Sequence, residues 1–340
     1  MELGLTTFAE LIPGAGNKKP DPGIRLRQVI EEAVLAEQVG LDVYAIGEHH
    51  RPDFAVSAPS VVLAAIAGRT ERIRLSPAVT VLSSDDPVRV FQRFATLDLI
   101  SNGRAELLVG RGSFVESFPL FGYSLNDYEE LFAENLDLLL AIRDSERVTW
   151  SGQFRAALDD QGVYPRPQQS PLPVWVGVGG TPQSIVRAAT RGLPVTLAII
   201  GGSPERFGVL GELFRRTLAD SGFDPQQVPL AVHAHGFIAD DSDVAANTFY
   251  PSYAAAMTRL GEERGWGPMT LPQFEGMRRP EGSLVLGNPE EVATKILRWK
   301  EILGISRFML HVSVGTMPHN QVMRSIELLG TEVAPLVRKG

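Results

Sequence analysis

Short runs of apolar and β-branched residues recur along the chain, separated by longer stretches in which apolar residues follow helical spacing. The runs predict eight strands, over residues 3–8, 42–48, 74–82, 105–111, 173–178, 194–200, 229–239 and 307–314. Their centres, such as Tyr44-Ala45-Ile46 and Val174-Trp175-Val176, are almost continuously apolar, which is typical of strands covered on both faces. The pattern therefore favours a parallel sheet.

Helical periodicity fills the intervals, over residues 24–39, 59–69, 88–101, 127–143, 182–191 and 204–219, with a final helix at 289–303. Repeated βα units predict an α/β fold, a (β/α)₈ TIM barrel with loop insertions, as one domain over residues 1–340. An open doubly wound sheet is the alternative. Its first strand should lead into a glycine-rich turn, and Thr6-Thr7-Phe8 is not such a turn.

Three segments interrupt the alternation and predict insertions at about residues 112–126, 145–172 and 264–288. In the second, residues 148–155 alternate in polarity around Ser151-Gly152, which indicates a hairpin. The third is rich in Gly, Pro and Met and predicts a long loop or lid. Long barrel loops usually shape access to a substrate site.

Composition narrows the possible functions. The 340 residues are 44% hydrophobic and 21% charged, as in a globular chain, and the net charge of −8 comes without a basic cluster that would bind nucleic acid. Cysteine is absent, which excludes disulfides, thiolate metal sites and a cysteine nucleophile. Neither a basic, apolar leader nor a membrane-length apolar run is present, so we expect a cytoplasmic protein.

Ionisable residues collect where predicted strands end, the face that carries the active site in barrel enzymes. Glu48-His49-His50 is the densest cluster, and at most one of its histidines points inward because successive strand residues face opposite sides. His233 and His235 share a face and could bind a metal with Glu48, but histidines in strands are more often hydrogen-bonded core residues. We expect no metal, so a metal-dependent hydrolase is the least favoured alternative.

Two features indicate an anion site. Gly179-Gly180-Thr181-Pro182 would let the backbone approach a phosphate at a helix N-terminus, with Ser184 adding a hydroxyl; the alternative is an ordinary capped turn. Arg111, between two glycines at the end of a strand, could bind a phosphate or a carboxylate, or could simply reach solvent.

Several ordered segments resemble the bacterial luciferase-like flavin-dependent monooxygenases. The resemblance covers almost the whole chain and is carried by residues 36–42, 47–50, 70–82, 86–89, 97–104, 110–112, 121–122 and 165–177. Each fragment is weak alone, but their order and spacing are specific. The family is a (β/α)₈ barrel that binds reduced FMN at the carboxyl ends of its strands, in agreement with the barrel predicted above.

The resemblance also implies roles for individual residues. The FMN phosphate would lie against Arg111, Gly179, Gly180, Thr181 and Ser184; the isoalloxazine ring over Ala78-Val79, where family members often have a cis peptide; the ribityl chain beside Gly112, Ser113 and Phe114; and strand one would close the pocket with Thr6, Thr7 and Phe8. His49 resembles the family's active-site histidine, and with Glu48 it is our candidate for catalysis.

The implied reaction uses reduced FMN and O₂ to oxygenate a small organic substrate, with His49 assisting proton transfer. Because no G-x-G-x-x-G turn is present, we expect a separate NAD(P)H-dependent reductase to supply reduced FMN. Two alternatives are hydride transfer with the deazaflavin F420 and a non-catalytic flavin-binding subunit. The family commonly forms dimers, which implies a homodimer. Aromatic and methionine residues suggest an apolar substrate, namely Phe54, Phe114, Phe118, Trp266, Met269 and Met277.

Overall fold

A computed structural model describes residues 1–11, 20–112 and 114–340 of the chain. Its strands are β1 (Glu2–Thr7), β2 (Val43–Ile46), β3 (Arg74–Pro77), β4 (Thr80–Val81), β5 (Leu107–Gly110), β6 (Arg147–Trp150), β7 (Leu158–Gly162), β8 (Val174–Val178), β9 (Val195–Ile199), β10 (Leu230–Ile238), β11 (Val285–Gly287) and β12 (Arg307–His311).

The main sheet is parallel, in the order β3-β2-β1-β12-β10-β9-β8-β5-β4. Its two ends are joined where the Leu75 N–H donates to the Arg104 carbonyl at 3.0 Å and the Glu106 N–H donates to the Leu75 carbonyl at 2.9 Å. The predicted α/β barrel is therefore confirmed, and each of the eight predicted strands is present among the described residues.

Helices surround this sheet. They are α1 (Pro22–Gln38), α2 (Pro59–Ala67), α3 (Pro87–Ile100), α4 (Ser117–Phe121), α5 (Tyr128–Asp144), α6 (Pro182–Ala189), α7 (Pro204–Asp220), α8 (Ser242–Arg264), α9 (Leu271–Arg278), α10 (Pro289–Leu303), α11 (His319–Leu328) and α12 (Ala334–Lys339). Short 3₁₀ turns lie at Leu82–Ser84 and Leu125–Asp127, and a π-helical turn lies at Leu329–Val333. In the described part of the chain no helix is long and apolar enough to cross a membrane.

Several helices begin at a short polar residue that is followed by proline. Asp21 accepts a hydrogen bond from the Ile24 N–H and precedes Pro22 of α1, and Asp86 does the same for the start of α3. The side chain satisfies a backbone donor that the first helical turn leaves free, while the proline lacks the N–H that would have no partner there.

The sequence-based boundaries differ from the structure in four places. The strand expected at residues 74–82 is split into β3 and β4 around the Ala78–Val79 peptide, which is cis. The hairpin exists, but its strands are β6 and β7, so Ser151-Gly152 begins a longer loop and is not a two-residue turn. Residues 264–288 contain α9 and β11 rather than an irregular loop, and α10 is followed by further helices.

The amino-terminal end of the barrel interior is closed by charged side chains. Arg307 on β12 bonds Glu106 at 2.6 Å and Glu2 at 2.7 Å, and its guanidinium lies 4.3 Å from the ring centroid of Trp175. Both Arg307 and Glu106 are buried. In a buried ion pair of this kind each charge offsets the desolvation cost of the other, and either charge alone would be strongly destabilising. It forms the floor of the space above it.

Candidate active site

A cavity of about 680 Å³ occupies the barrel interior above this floor and extends to the carboxyl ends of the strands. Its walls come largely from alternate residues of the barrel strands, such as Val43 and Ala45 of β2, while Tyr44 and Ile46 pack in the core outside the barrel. This is the two-residue period of a β-strand, which gives neighbouring residues opposite surroundings.

One side of the cavity, here called the anion end, consists of Arg111, Gly179, Thr181 and Ser184. The Arg111 Nη2 atom donates to the Ser184 Oγ atom at 3.1 Å, and the guanidinium lies 5.1 Å from the Tyr128 ring centroid. Thr181 occupies the N-cap position of α6, and its side chain makes no capping hydrogen bond. Thr181 therefore lines the cavity at the start of α6, and Arg111 bonds Ser184 in the first turn of the same helix.

Glu129 on α5 supplies a counter-charge at this end. Its carboxylate pairs with Arg111 and, at 2.8 Å, with Arg187. About half of the Glu129 side chain is exposed, so these contacts are screened by solvent and readily exchanged.

Two glycines make room for the middle of the cavity wall. Val79 projects toward β5 and β8, and a Cβ atom placed on Gly110 or Gly177 would lie 2.7 Å from a Val79 methyl carbon. Ala78 and Val79 both line the cavity. Gly110 of β5 and Gly177 of β8 thus leave room for the branched apolar side chain of Val79 inside the barrel.

His49 is buried among aromatic rings. Its ring stacks on Phe54 at a centroid distance of 4.1 Å and meets Phe8 and Phe114 edge-on at 4.8 Å and 5.1 Å. Burial, reinforced by the nearby His311 and Arg51, lowers the pKa of His49 to about 3, so its imidazole is neutral near pH 7. The three phenylalanines border the cavity, and His49 lies behind them.

The neighbours of His49 and Thr6 face elsewhere. Glu48 pairs with the His50 ring at 3.0 Å and accepts a hydrogen bond from the Val81 N–H at 3.3 Å; this bonding raises the pKa of His50. Thr7, expected to close the pocket, instead shares a hydrogen bond with Ser313 at 2.9 Å and accepts one from Arg25 of α1. Neither Glu48 nor Thr7 lines the cavity.

The side opposite the anion end, here called the histidine end, consists of His233, His235, His311 and Tyr253. Ring centroids are 5.6 Å apart for His233 and His311, and 5.2 Å apart for His235 and His311. The Nε2 atom of His311 lies 2.9 Å from an oxygen of Glu10 without hydrogen-bond alignment. Burial lowers the pKa of His233 to about 3 and the pKa of His235 well below its usual value.

The suggested metal site of His233, His235 and Glu48 does not form, because Glu48 bonds His50 instead. Across the described ranges, no three metal-ligating side chains are placed to hold an ion together. His311 and Tyr253 were missed from the sequence. The alternation of Arg307, Met309 and His311 along β12 could have indicated His311, whereas Tyr253 lies on α8, for which no helix was predicted.

Charged residues connect two elements at the cavity mouth. Arg51, in the segment after β2, bonds Glu263 of α8 and, at 3.1 Å, Asp53. Asp53 also pairs with Arg259 of α8 at 3.2 Å. The Arg51 guanidinium lies 4.7 Å from the Phe114 centroid, so this ionic contact covers the aromatic group around His49.

Of the residues expected to form the cofactor pocket, nine line the cavity: Thr6, Phe8, Ala78, Val79, Arg111, Gly112, Phe114, Gly179 and Thr181. Ser184 reaches the site through Arg111, and Gly180 follows Gly179 with a left-handed φ of 116°. Ser113 lies outside the described residues.

Comparison with known proteins shows which family has this architecture. The family described as luciferase-like monooxygenase matches residues 1–306. An F420-dependent glucose-6-phosphate dehydrogenase from Kineococcus radiotolerans is 36% identical over 329 residues, with 90% of this chain and 91% of the relative covered.

Two solved structures share the fold. Monooxygenase RslO1 from Streptomyces bottropensis has a TM-score of 0.87 at 24% identity, covering 98% of this chain and 99% of the other. The oxygenating constituent of 3,6-diketocamphane monooxygenase from Pseudomonas putida, in complex with FMN, has a TM-score of 0.78 at 21% identity and 98% coverage of both chains. With its barrel, its cavity at the carboxyl ends and a match over residues 1–306, this chain belongs to the luciferase-like monooxygenase family.

Proposed function

We propose that this chain is an FMN-dependent monooxygenase that uses reduced FMN and O₂ to oxygenate a small apolar organic substrate. The observation that carries the proposal is the anion end, where Arg111 is held 3.1 Å from Ser184 beside the N-terminus of α6. A permanent cation, a hydroxyl and the positive end of a helix dipole together form the chemistry that binds a phosphate monoester.

The shape of this end fits a phosphate group. A Cβ atom on Gly179 or Gly201, both of which line the cavity, would meet no atom within 4 Å and would project into open space. The backbone at these positions can therefore approach a ligand closely. An incoming phosphate would compete with Glu129 for Arg111, and Glu129 would retain Arg187 as its partner.

The middle of the cavity suits a flat apolar ring. Ala78 and Val79 form one wall, and Leu108 and Trp175 lie on neighbouring strands. When bound there, reduced FMN would supply the electrons that activate O₂. The apolar walls would keep water away from the reacting groups, as catalysis with reactive oxygen species requires.

His49 does not itself line the cavity, and it would assist proton transfer from behind Phe8, Phe54 and Phe114. Its neutral imidazole, with a pKa of about 3, can accept a hydrogen bond or hold a proton briefly, and Phe8, Phe54 and Phe114 fix the ring. Glu48 would act differently: its bonds to His50 and the Val81 N–H make it a residue that positions the segment around β4.

We further propose that a separate NAD(P)H-dependent reductase supplies the reduced FMN and that the chain works as a homodimer. Purified protein should bind reduced FMN under anaerobic conditions, and addition of reductase, NADH and ¹⁸O₂ should place ¹⁸O in a product. Failure of reduced FMN to bind at roughly tens of micromolar would overturn the proposal. Sedimentation velocity tests the dimer independently.

An F420-dependent oxidoreductase is the second candidate, because the relative from Kineococcus radiotolerans is 36% identical over nine-tenths of this chain and depends on F420. Parallel titrations of FMN and F420 separate the two cofactors. A monooxygenase consumes O₂ during turnover, whereas hydride transfer to F420 continues under anaerobic conditions. Tight binding of F420 without measurable binding of FMN would favour the second candidate.

A further inference from the structure

We propose that Met257, Met269 and Met277, here called the methionine wall, form an oxidative modification site that takes up hydrogen peroxide produced inside the cavity. Peroxide converts a methionine thioether into a sulfoxide, which is polar. The inference rests on the proposed function in one respect, because reduced FMN and O₂ are the source of the peroxide.

The sulfur of this chain is concentrated at the cavity. The sequence has seven methionines and no cysteine, so methionine is its only sulfur-containing residue. Four methionines line the cavity, namely Met257, Met269, Met277 and Met309. Met309 is buried on β12, whereas the three residues of the methionine wall are half-buried. The methionine wall is therefore the sulfur that a small oxidant in the cavity reaches most readily.

The methionine wall is assembled by α8, α9 and the segment between them. Its first residue lies in α8, and the Met269 N–H donates to the Thr258 hydroxyl at 3.1 Å, which holds Met269 beside the same helix. Helix α9 carries Met277 and packs on α8, with the ring centroids of Phe274 and Tyr250 5.0 Å apart. Three thioethers from separate segments are thus brought together beside the cavity.

The oxidation needs no reactant beyond those of the proposed function. When no substrate takes up the oxygen, reduced FMN transfers two electrons and two protons to O₂, which leaves oxidised FMN and hydrogen peroxide. The thioether sulfur then attacks one peroxide oxygen. An S–O bond forms, the O–O bond breaks, the sulfur is oxidised by two electrons, and water leaves. Peroxide released inside the cavity meets the methionine wall before it is diluted into solution.

Oxidation would change what the cavity binds. Ala256 and Leu260 of α8 line the cavity beside Met257, so this part of the lining is apolar while the thioethers are reduced. Each sulfoxide oxygen adds a hydrogen-bond acceptor to that apolar lining, and an acceptor that a ligand covers without a donor is costly. Turnover without substrate should therefore weaken the binding of apolar ligands.

Peptide mass spectrometry of the full-length protein tests the inference. FMN, a flavin reductase, NADH and air are supplied without an organic substrate, and catalase removes the peroxide that reaches bulk solution. Met323 on α11 is the internal control, because it is also half-buried but does not line the cavity. The sulfoxide fraction at the methionine wall should exceed that at Met323 by about fivefold or more. Arg111→Ala, which weakens FMN binding, should reduce this ratio.

Two results would overturn the inference: equal oxidation of the methionine wall and Met323, or complete protection of the methionine wall by catalase. Either result would mean that the peroxide acts from bulk solution. Titration of FMN in the same preparation separates this failure from failure of the proposed function. Bound FMN with uniform oxidation refutes the modification site alone, whereas absence of FMN binding refutes the proposed cofactor and, with it, the source of peroxide in the cavity.

Discussion

Two buried tyrosines should respond in opposite directions to the loss of their hydroxyl groups. Tyr253 and Tyr44 are both almost fully buried, but the Tyr253 hydroxyl has no partner among the described residues, whereas the Tyr44 hydroxyl donates to Glu32 at 3.2 Å. Replacing each with phenylalanine changes one atom and leaves the ring packing intact.

The expected magnitudes follow from these surroundings. A buried polar group without a partner costs about 1–3 kcal/mol, so Tyr253→Phe should raise the free energy of unfolding by about 1 kcal/mol after the lost dispersion contacts are subtracted. A hydrogen bond to a charged group contributes about 1.5–3 kcal/mol, so Tyr44→Phe should lower the same free energy by about that amount. Glu32 keeps Arg25 at 2.6 Å, which limits the loss.

Urea denaturation followed by tryptophan fluorescence measures both variants against the wild-type protein under identical conditions, without flavin. The two variants should differ by about 2.5–4 kcal/mol, which exceeds the uncertainty of linear extrapolation between close variants. Equal destabilisation by the two substitutions would refute the reasoning. The Tyr253 hydroxyl would then be satisfied in the free protein.

Further predictions concern the site and its surroundings. Arg111→Ala should weaken FMN binding about 10- to 100-fold in calorimetric titration, whereas Arg147→Ala, which removes an exposed ion pair in the hairpin, should leave it unchanged. His49→Ala should abolish oxygenation and leave FMN affinity largely intact; unchanged product formation would show that another residue handles the proton. At His49 and His233, the unfolded state binds more protons than the folded state between pH 6.5 and about 3. The free energy of unfolding should therefore decrease as the pH is lowered through that range. His233→Phe should reduce the loss of stability between pH 7.5 and pH 5.5 by about 1.4 kcal/mol in urea titrations, even though the raised pKa values of His50 and His319 act in the opposite direction. Gly177→Ala should cost about 1–3 kcal/mol through its contact with Val79, and Val79→Ala should recover most of it in the double variant; additive losses would contradict the proposed contact.

The sequence was sufficient to predict the barrel because its strands are short apolar runs, a signal that depends only on neighbouring residues. Helix α8 escaped prediction because its apolar residues form no clear stripe and Pro251 interrupts it. The direction of side chains could be predicted in part from the sequence. Because adjacent strand residues face opposite sides, a Thr6 that faces the cavity implies a Thr7 that faces away from it.

The remaining site residues depend on contacts between distant segments. Glu129 reaches Arg111 from α5, and Tyr253 reaches the histidines from α8. No spacing within the sequence encodes either approach, because both depend on how the outer helices pack against the barrel. The alternation along β12 indicates that His311 faces the cavity, but its place beside His235 depends on the pairing of β10 with β12.

The ionic floor of the barrel limits how reactants exchange. A molecule leaving through the floor would have to separate Arg307 from Glu106, and breaking a buried ion pair costs several kcal/mol. We therefore expect reactants to enter and leave through the cavity mouth beside Arg51 and Glu263. Because ligands would enter and leave the cavity through this one mouth, the ligand that binds last must leave first, and the order of binding also sets the order of release.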